Sequence, residues 1–277
     1  MPVKKNLITG MFMTARGITT IMTNRWYGVT DRGTVRDLNQ DAFCAPGILV
    51  GRQDSARREG EFLFASQAPA LWAVSDGMGG HELGEEASAL AIQLLTWDVQ
   101  KQWSSLYSEG QDPKTFISRA LREISRKLND LAQDQLRPMG CTLTGVWVPD
   151  ETPSAWVFHV GDTRLWRANS TKRSLQLLTQ DHNLAFGRSD GQGKNILESC
   201  LGGGMDEQRI DVFPLEVARG DVWLLVSDGL EDGLDQATFE TLFWQNVMSP
   251  PMLAEALLNQ SLPNSADNIT LLAITWD

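Results

Sequence analysis

Carboxylates placed where strands end dominate the chemistry open to this chain. Asp76-Gly77, Asp228-Gly229 and Asp267-Asn268 each stand at the edge of a strand-like run, and Asp162 follows Gly161 behind another. Asp41 opens a further run, at the end of Arg36-Asp37-Leu38-Asn39-Gln40-Asp41. Two settings are near copies: Trp72-Ala73-Val74-Ser75-Asp76-Gly77 and Leu224-Leu225-Val226-Ser227-Asp228-Gly229 both lead an apolar strand into Ser-Asp-Gly. Taken singly, each Asp-Gly is an ordinary turn dipeptide. If the strand ends converge, the carboxylates share a small volume, where each raises its neighbours' pKa unless a cation is present. Oxygen ligands favour a hard ion, so Mn2+ or Mg2+ is the expected cofactor. Histidine and cysteine are too few and too scattered for a zinc site.

The elements that must carry these groups come in an uneven order. Strand-like text covers residues 25–31, 41–50 and 61–75, and helical spacing of Ala87, Leu90, Ala91, Leu94 and Leu95 then predicts a helix over 85–103. Asp112-Pro113 reads as the N-cap and first residue of a second helix, with Phe116, Ile117, Ala120, Leu121, Ile124, Leu128 and Leu131 facing inward. Short strands follow at 142–148, 155–160, 164–167, 175–178, 210–213 and 222–227, helices at 237–247 and 252–260, and a closing strand at 269–275. Strands grouped on either side of a helical pair predict an α+β fold, a four-layer αββα sandwich of two mostly antiparallel sheets flanked by helices.

Composition narrows the class. The chain has 277 residues, 42% of them apolar, and its 24 Lys and Arg against 35 Asp and Glu leave a net charge of −11. That describes a soluble globular chain large enough to bury a core without disulfides or structural zinc. Its acidity argues against nucleic-acid binding, which calls for clustered basic surface. Cys44, Cys141 and Cys200 are odd in number and form no CxxC pair, which fits a reducing, cytoplasmic setting. No apolar run approaches the ~20 residues of a membrane span. Arg16 interrupts the mildly apolar start, so residues 1–22 read as a frayed extension ahead of a domain over 23–277, expected to be a monomer.

Seven motifs occur in an order that carries a resemblance. They are Arg36-x-x-Asn39-Gln40-Asp41; Asp76-Gly77-Met78-Gly79-Gly80-His81-x-x-Gly84-Glu85-x-Ala87-Ser88; Gly140-Cys141-Thr142; Val160-Gly161-Asp162-Thr163-Arg164; Leu178-Thr179-x-Asp181-His182; Ser227-Asp228-Gly229-Leu230; and Asp267-Asn268-Ile269-Thr270. From about Gly28 onward the chain resembles the bacterial branch of the metal-dependent, type-2C serine/threonine protein phosphatases. The resemblance implies two Mn2+ or Mg2+ ions at a sandwich edge, held by Asp41, Asp76, Asp228, Asp267 and the carbonyl of Gly77. It implies a third, weaker site at Asp162 and Asp228, and it assigns Arg36 to the substrate phosphate. The implied reaction is hydrolysis of phosphoserine and phosphothreonine in proteins by metal-activated water, opposing a Ser/Thr kinase, with a secretion-system component as one candidate partner. Two alternatives stay open: a phosphoprotein-binding pseudophosphatase, and a phosphatase of small phosphate esters.

The same residues have plainer readings. Arg36 can simply pair with a surface carboxylate, and Gly79-Gly80 can be a plain loop. His81, His159 and His182 are candidates to protonate a leaving oxygen, but Met78 stands where eukaryotic relatives place a histidine. His182 reads better as a turn cap. The stretch 183–198 reads as a short, flexible segment near the site, with consequences for substrate preference. Trp72, Trp147, Trp156 and Trp223 belong in the core, whereas Trp97, Trp103 and Trp244 lie in helix text.

Overall fold

The strands alternate their apolar side chains between two faces, and that alternation builds the layers. The computed structural model describes residues 11–14, 17–20, 22–63, 69–78, 82–101, 103, 110–133, 138–149, 154–184 and 196–277. Its strands are β1 (Met11–Thr14), β2 (Gly17–Thr20), β3 (Thr23–Asp31), β4 (Asp41–Ala45), β5 (Ile48–Val50), β6 (Ser55–Leu63) and β7 (Ala70–Met78). Helices α1 (Glu82–Lys101) and α2 (Pro113–Ala132) follow. Then come β8 (Gly140–Cys141), β9 (Leu143–Val148), β10 (Ser154–Val160), β11 (Arg164–Asn169), β12 (Ser174–Leu177), β13 (Leu201–Gly202), β14 (Asp211–Glu216) and β15 (Asp221–Val226). Helices α3 (Asp228–Asp232), α4 (Gln236–Asn246) and α5 (Pro250–Ser261) lead to β16 (Ile269–Trp276).

Two sheets result. The first runs β13-β8-β7-β9-β10-β14, with β4 joined to β7 and β5 to β4; the second runs β12-β11-β15-β16-β3-β6. Pairings in both are antiparallel. The last strand, β16, therefore lies inside its sheet, between β15 and β3. β1 and β2 pair with each other and with no other described strand.

In β7, Leu71 and Ala73 pack toward α1 and α2, while Trp72 and Val74 pack between the sheets. In β15, Trp223 and Leu225 enter the space between the sheets, whereas Val222, Leu224 and Val226 join the cluster under α4 and α5. β16 repeats the pattern with Leu272, Ile274 and Trp276 against Ile269, Leu271 and Ala273. Three buried clusters between four layers are the αββα sandwich that the sequence pattern predicts. Among the described residues no helix is long and apolar enough to cross a membrane.

Asp112 caps α2 as expected: its carboxylate accepts the Thr115 N–H at 2.9 Å, and Pro113 occupies the first turn. A cap of this kind contributes about 1 kcal/mol. Leu131 departs from its assignment, being 53% exposed. Ser125 is buried on that face instead, where its hydroxyl accepts the Gly202 N–H. The strand read over 41–50 is two strands, because Gly47 takes φ +76° and turns β4 back into β5. Trp72, Trp147 and Trp223 are fully buried and Trp156 only partly; on α1, Trp97 is exposed.

Candidate functional site

The five aspartates gather at one edge of the sandwich because the strands that bear them end or begin there. Asp41 starts β4 and stands directly across from Asp76 on β7. Asp228 follows β15 and opens α3, and Asp267 precedes β16, whose Ile269 pairs with Asp31 at the end of β3. Asp162 lies in the crossing from β10 in one sheet to β11 in the other. Arg36, Asp76, Gly77, Asp162, Asp228 and Asp267 line a single cleft of about 280 Å3, with Asp41 buried beneath. Larger clefts, of about 580 Å3 beside Arg122 and Met205 and about 370 Å3 beside Cys44 and Thr96, contain none of these residues. Chemistry, rather than size, singles out the edge cleft.

Local hydrogen bonds fix each group. The Asp76 N–H donates to the Thr142 hydroxyl at 2.9 Å, and the Thr142 N–H returns to the Asp76 carbonyl at 2.8 Å. Gly77 is a strand residue, not a turn residue: it pairs with Cys141, and a Cβ there would collide with the carbonyl of Gly84. The close approach of α1 explains the glycine better than turn chemistry does. Asn268 anchors the 32–40 loop, donating to the carbonyls of Arg32 and Leu38 at 2.8 and 2.9 Å and accepting the Gln40 N–H at 2.8 Å. Asn39 holds the same loop from below, donating to Thr30 at 2.8 Å and accepting the Asp41 N–H at 3.2 Å.

Electrostatics make the cleft a site under tension. Burial raises Asp41 to about 7, with Asp228 and Asp267 adding to the shift and the hydroxyls of Ser227 and Thr270 opposing it. Burial and the charges of Asp41, Asp228, Asp267 and Asp162 hold Asp76 well above the usual carboxylate range. Asp162 is raised to about 7 by burial and by Asp228 and Asp181, with Arg164 opposing. Asp41 Oδ2 accepts the Ser227 hydroxyl at 2.7 Å, while its Oδ1, also buried, has no hydrogen-bond partner. Arg36 donates to Asp267 Oδ2 at 2.6 Å; burial works against its charge, but this carboxylate outweighs it.

A buried carboxylate oxygen without a donor, among carboxyls that repel one another, is matched to a hard cation. The donor set is all oxygen, which suits Mn2+ or Mg2+ and not zinc. Among the described residues no three acidic, histidine or cysteine groups already stand as a finished ligand set. Instead Arg36 takes one oxygen of Asp267 and Ser227 one of Asp41.

The sequence pattern misses three features. Thr142 orients Asp76 through a motif whose role spacing alone does not disclose. Asp232 and Leu197 also line the cleft. Asp232 is one turn after Asp228 on α3, a spacing legible only once that five-residue helix is recognised. His159 and His182 are buried and do not line the cleft. His182 accepts the Gly161 N–H, the turn contact expected of it. His81, Gly79 and Gly80 lie outside the described residues, as does most of the 183–198 segment.

Comparison with known proteins agrees with this architecture. The family model described as protein phosphatase 2C matches residues 51–264. A serine/threonine phosphatase, stp, of Listeria monocytogenes is 26% identical over 261 residues, covering 90% of this chain and 94% of that one. The solved catalytic domain of the serine/threonine protein phosphatase PstP in complex with two manganese ions superposes with a TM-score of 0.69 at 22% identity, covering 92% of this chain and 99% of that one. PppA of Pseudomonas aeruginosa, described as a key regulatory component of T6SS, superposes with a TM-score of 0.66 at 21% identity over 92% and 98% of the two chains. At those identities the two structures speak for the fold alone.

A two-sheet sandwich with an acidic edge cleft, matched by this family model, defines a metal-dependent serine/threonine protein phosphatase. The chain belongs to the protein phosphatase 2C family.

Proposed function

We propose that the edge cleft is where this chain hydrolyses phosphoserine and phosphothreonine of proteins, opposing a Ser/Thr kinase in the cytoplasm. The observation that carries the reading is the convergence of Asp76, Asp162, Asp228 and Asp267, from both sheets, on one cleft with Arg36 at its rim. Asp41, Asp76, Asp228, Asp267 and the Gly77 carbonyl would hold two Mn2+ or Mg2+ ions, and Asp162 with Asp228 a third. When bound, two such ions supply a hydroxide near neutral pH and neutralise charge on the phosphoryl oxygens.

The chain's own residues do the positioning. The side chain of Arg36 is 49% exposed, so its guanidinium can leave Asp267 and grip two phosphate oxygens in a planar fork. Asn268 and Asn39 set the loop from which Arg36 projects, and Thr142 keeps Asp76 aimed across at Asp41. Because the attacking group would be a metal-activated water, the reading needs no covalent enzyme intermediate. The three cysteines are buried and unbridged, in keeping with a reducing compartment. The fold likeness to PppA motivates including phosphoproteins of kinase-controlled secretion systems among the substrates tried.

The test is phosphate release from a phosphothreonine peptide and from p-nitrophenyl phosphate, each with Mn2+, Mg2+ or EDTA. Metal-dependent release from the peptide is expected. Release from the small ester alone would shift the substrate class, and no release from folded protein would favour a phosphoprotein-binding role.

A further inference from the structure

Outside the cleft, four segments of the chain meet on one buried residue. The His182 N–H donates to the Gly161 carbonyl at 2.8 Å, and its own carbonyl accepts the N–H groups of Glu198 and Ser199 at 2.8 and 3.4 Å. Its Nδ1 accepts the Gly161 N–H at 3.3 Å, and its Nε2 lies 3.0 Å from Asp211 Oδ2. A peptide N–H can only donate, so Nδ1 is the bare nitrogen and Nε2 carries the proton that the carboxylate accepts. Arg209 holds the same Asp211 oxygen at 3.1 Å. His159 packs against the ring at a tilt of 56°, centroid to centroid 4.5 Å, and is itself fixed between the Thr144 hydroxyl at 2.7 Å and the Gln180 carbonyl at 2.9 Å.

What hangs from this clasp is the cleft rim. Gly161, at φ +106°, is the residue before Asp162. On the other side, Asn183 bridges to Leu197 and the Leu184 N–H donates to the Ile196 carbonyl at 2.9 Å. Asp162 and Leu197 both line the cleft, whereas His182 does not. A side chain that does not itself line the cleft thus joins an acidic and an apolar part of the same wall.

We propose that His182 is a positioning residue of the phosphatase reaction, fixing the turn of Asp162 and the Leu197 wall in one geometry. The proposal rests on the reading of the acidic cleft as the reaction centre. Its specificity lies in the two ring nitrogens. Asparagine can present an oxygen near the place of Nδ1 and keep the Gly161 link. Glutamine can present an amide N–H near the place of Nε2 and keep only the Asp211 link.

The experiment measures kcat and KM for a phosphothreonine peptide and for p-nitrophenyl phosphate, together with the unfolding midpoint, in His182→Ala, His182→Asn and His182→Gln. With His182→Ala, kcat/KM for the peptide should fall about tenfold, mostly through KM, and for the small ester by less than about threefold. His182→Asn should recover most of the loss and His182→Gln little. Asp211→Ala, at a half-buried position, should move the peptide KM in the same direction and carries the test if His182→Ala does not fold. Wild-type constants in His182→Ala would overturn the proposal. So would equal losses on both substrates that track the midpoint, with asparagine no better than alanine. Asp76→Asn, run alongside, separates the two readings: if it stays active, the cleft assignment fails and takes the proposal with it. If it is inactive while His182→Ala is unaffected, only the clasp fails.

Discussion

Ser227→Ala is the perturbation that most directly probes how the cleft is held. Ser227 is fully buried, its hydroxyl donating to Asp41 Oδ2 at 2.7 Å and accepting the Thr270 N–H at 2.9 Å. Alanine removes a hydrogen bond to a charged group, worth about 1.5–3 kcal/mol, and takes the side-chain acceptor from a buried amide, about 1–3 kcal/mol more. Protonation of Asp41, which burial already raises to about 7, relieves part of this. The net expectation is a loss of about 2–4 kcal/mol for the metal-free protein. Urea unfolding in EDTA near neutral pH, with an unchanged m value, measures it. In a thermal scan the same loss is a drop of about 5–12 °C. The variant should also need more Mn2+ for half-maximal stabilisation, because its Asp41 gives up a proton less readily. A stability loss under about 0.5 kcal/mol, the size of an ordinary surface substitution, would refute the idea that Ser227 anchors Asp41.

Other expectations follow from the same geometry. Asp41 and Asp162, both raised to about 7 chiefly by burial, bind more protons folded than unfolded between about pH 4 and 7. His159, lowered to about 4 chiefly by burial, works the other way below about pH 6.5, but Asp41, Asp162 and the raised Asp76 together outweigh it. Metal-free stability should therefore fall as pH rises through that window, and saturating Mn2+ should flatten the fall; a rise in EDTA would contradict it. Asp76→Asn should raise the unfolding midpoint in EDTA by removing a buried like charge, while abolishing both the stabilisation by Mn2+ and catalysis. A midpoint still lifted by Mn2+ as in the wild type would remove Asp76 from the ligand set. Arg36→Ala should raise KM for phosphate esters about tenfold with a smaller change in kcat, and an unchanged KM would take Arg36 off the phosphate.

Much of this site is legible from residue order, because strand ends write themselves plainly: an apolar run that stops at Ser-Asp-Gly puts its carboxylate at the sheet edge. The alternation in β15 and β16 likewise shows which side chains pack between sheets and which under helices. What eludes the sequence depends on contacts between distant segments. That Gly77 continues a strand is decided by Gly84 and Cys141, not by its neighbours. That Ser125 outranks Leu131 for burial is decided by the backbone of Gly202. The α3 helix is too short for helical periodicity to mark, so Asp232 escapes notice. Asn268 reads as a companion of Asp267, yet its hydrogen bonds go to a loop 230 residues away.

The interior place of β16 bears on the protein's birth. Its register with β3 joins the earliest strand of the second sheet to the latest, and Asp267 stands just ahead of it. Before this strand is in place, β3 has only β6 beside it and lacks the Asn268 that ties down the loop bearing Arg36. A nascent chain can assemble its first sheet and the helices over it, yet it carries an incomplete acidic edge until synthesis has passed Trp276 and the strand has slotted home. The acidic edge is thereby completed only once β16 is in place, and a protease that cut just ahead of Ile269 would disarm the enzyme without touching a residue of the first sheet.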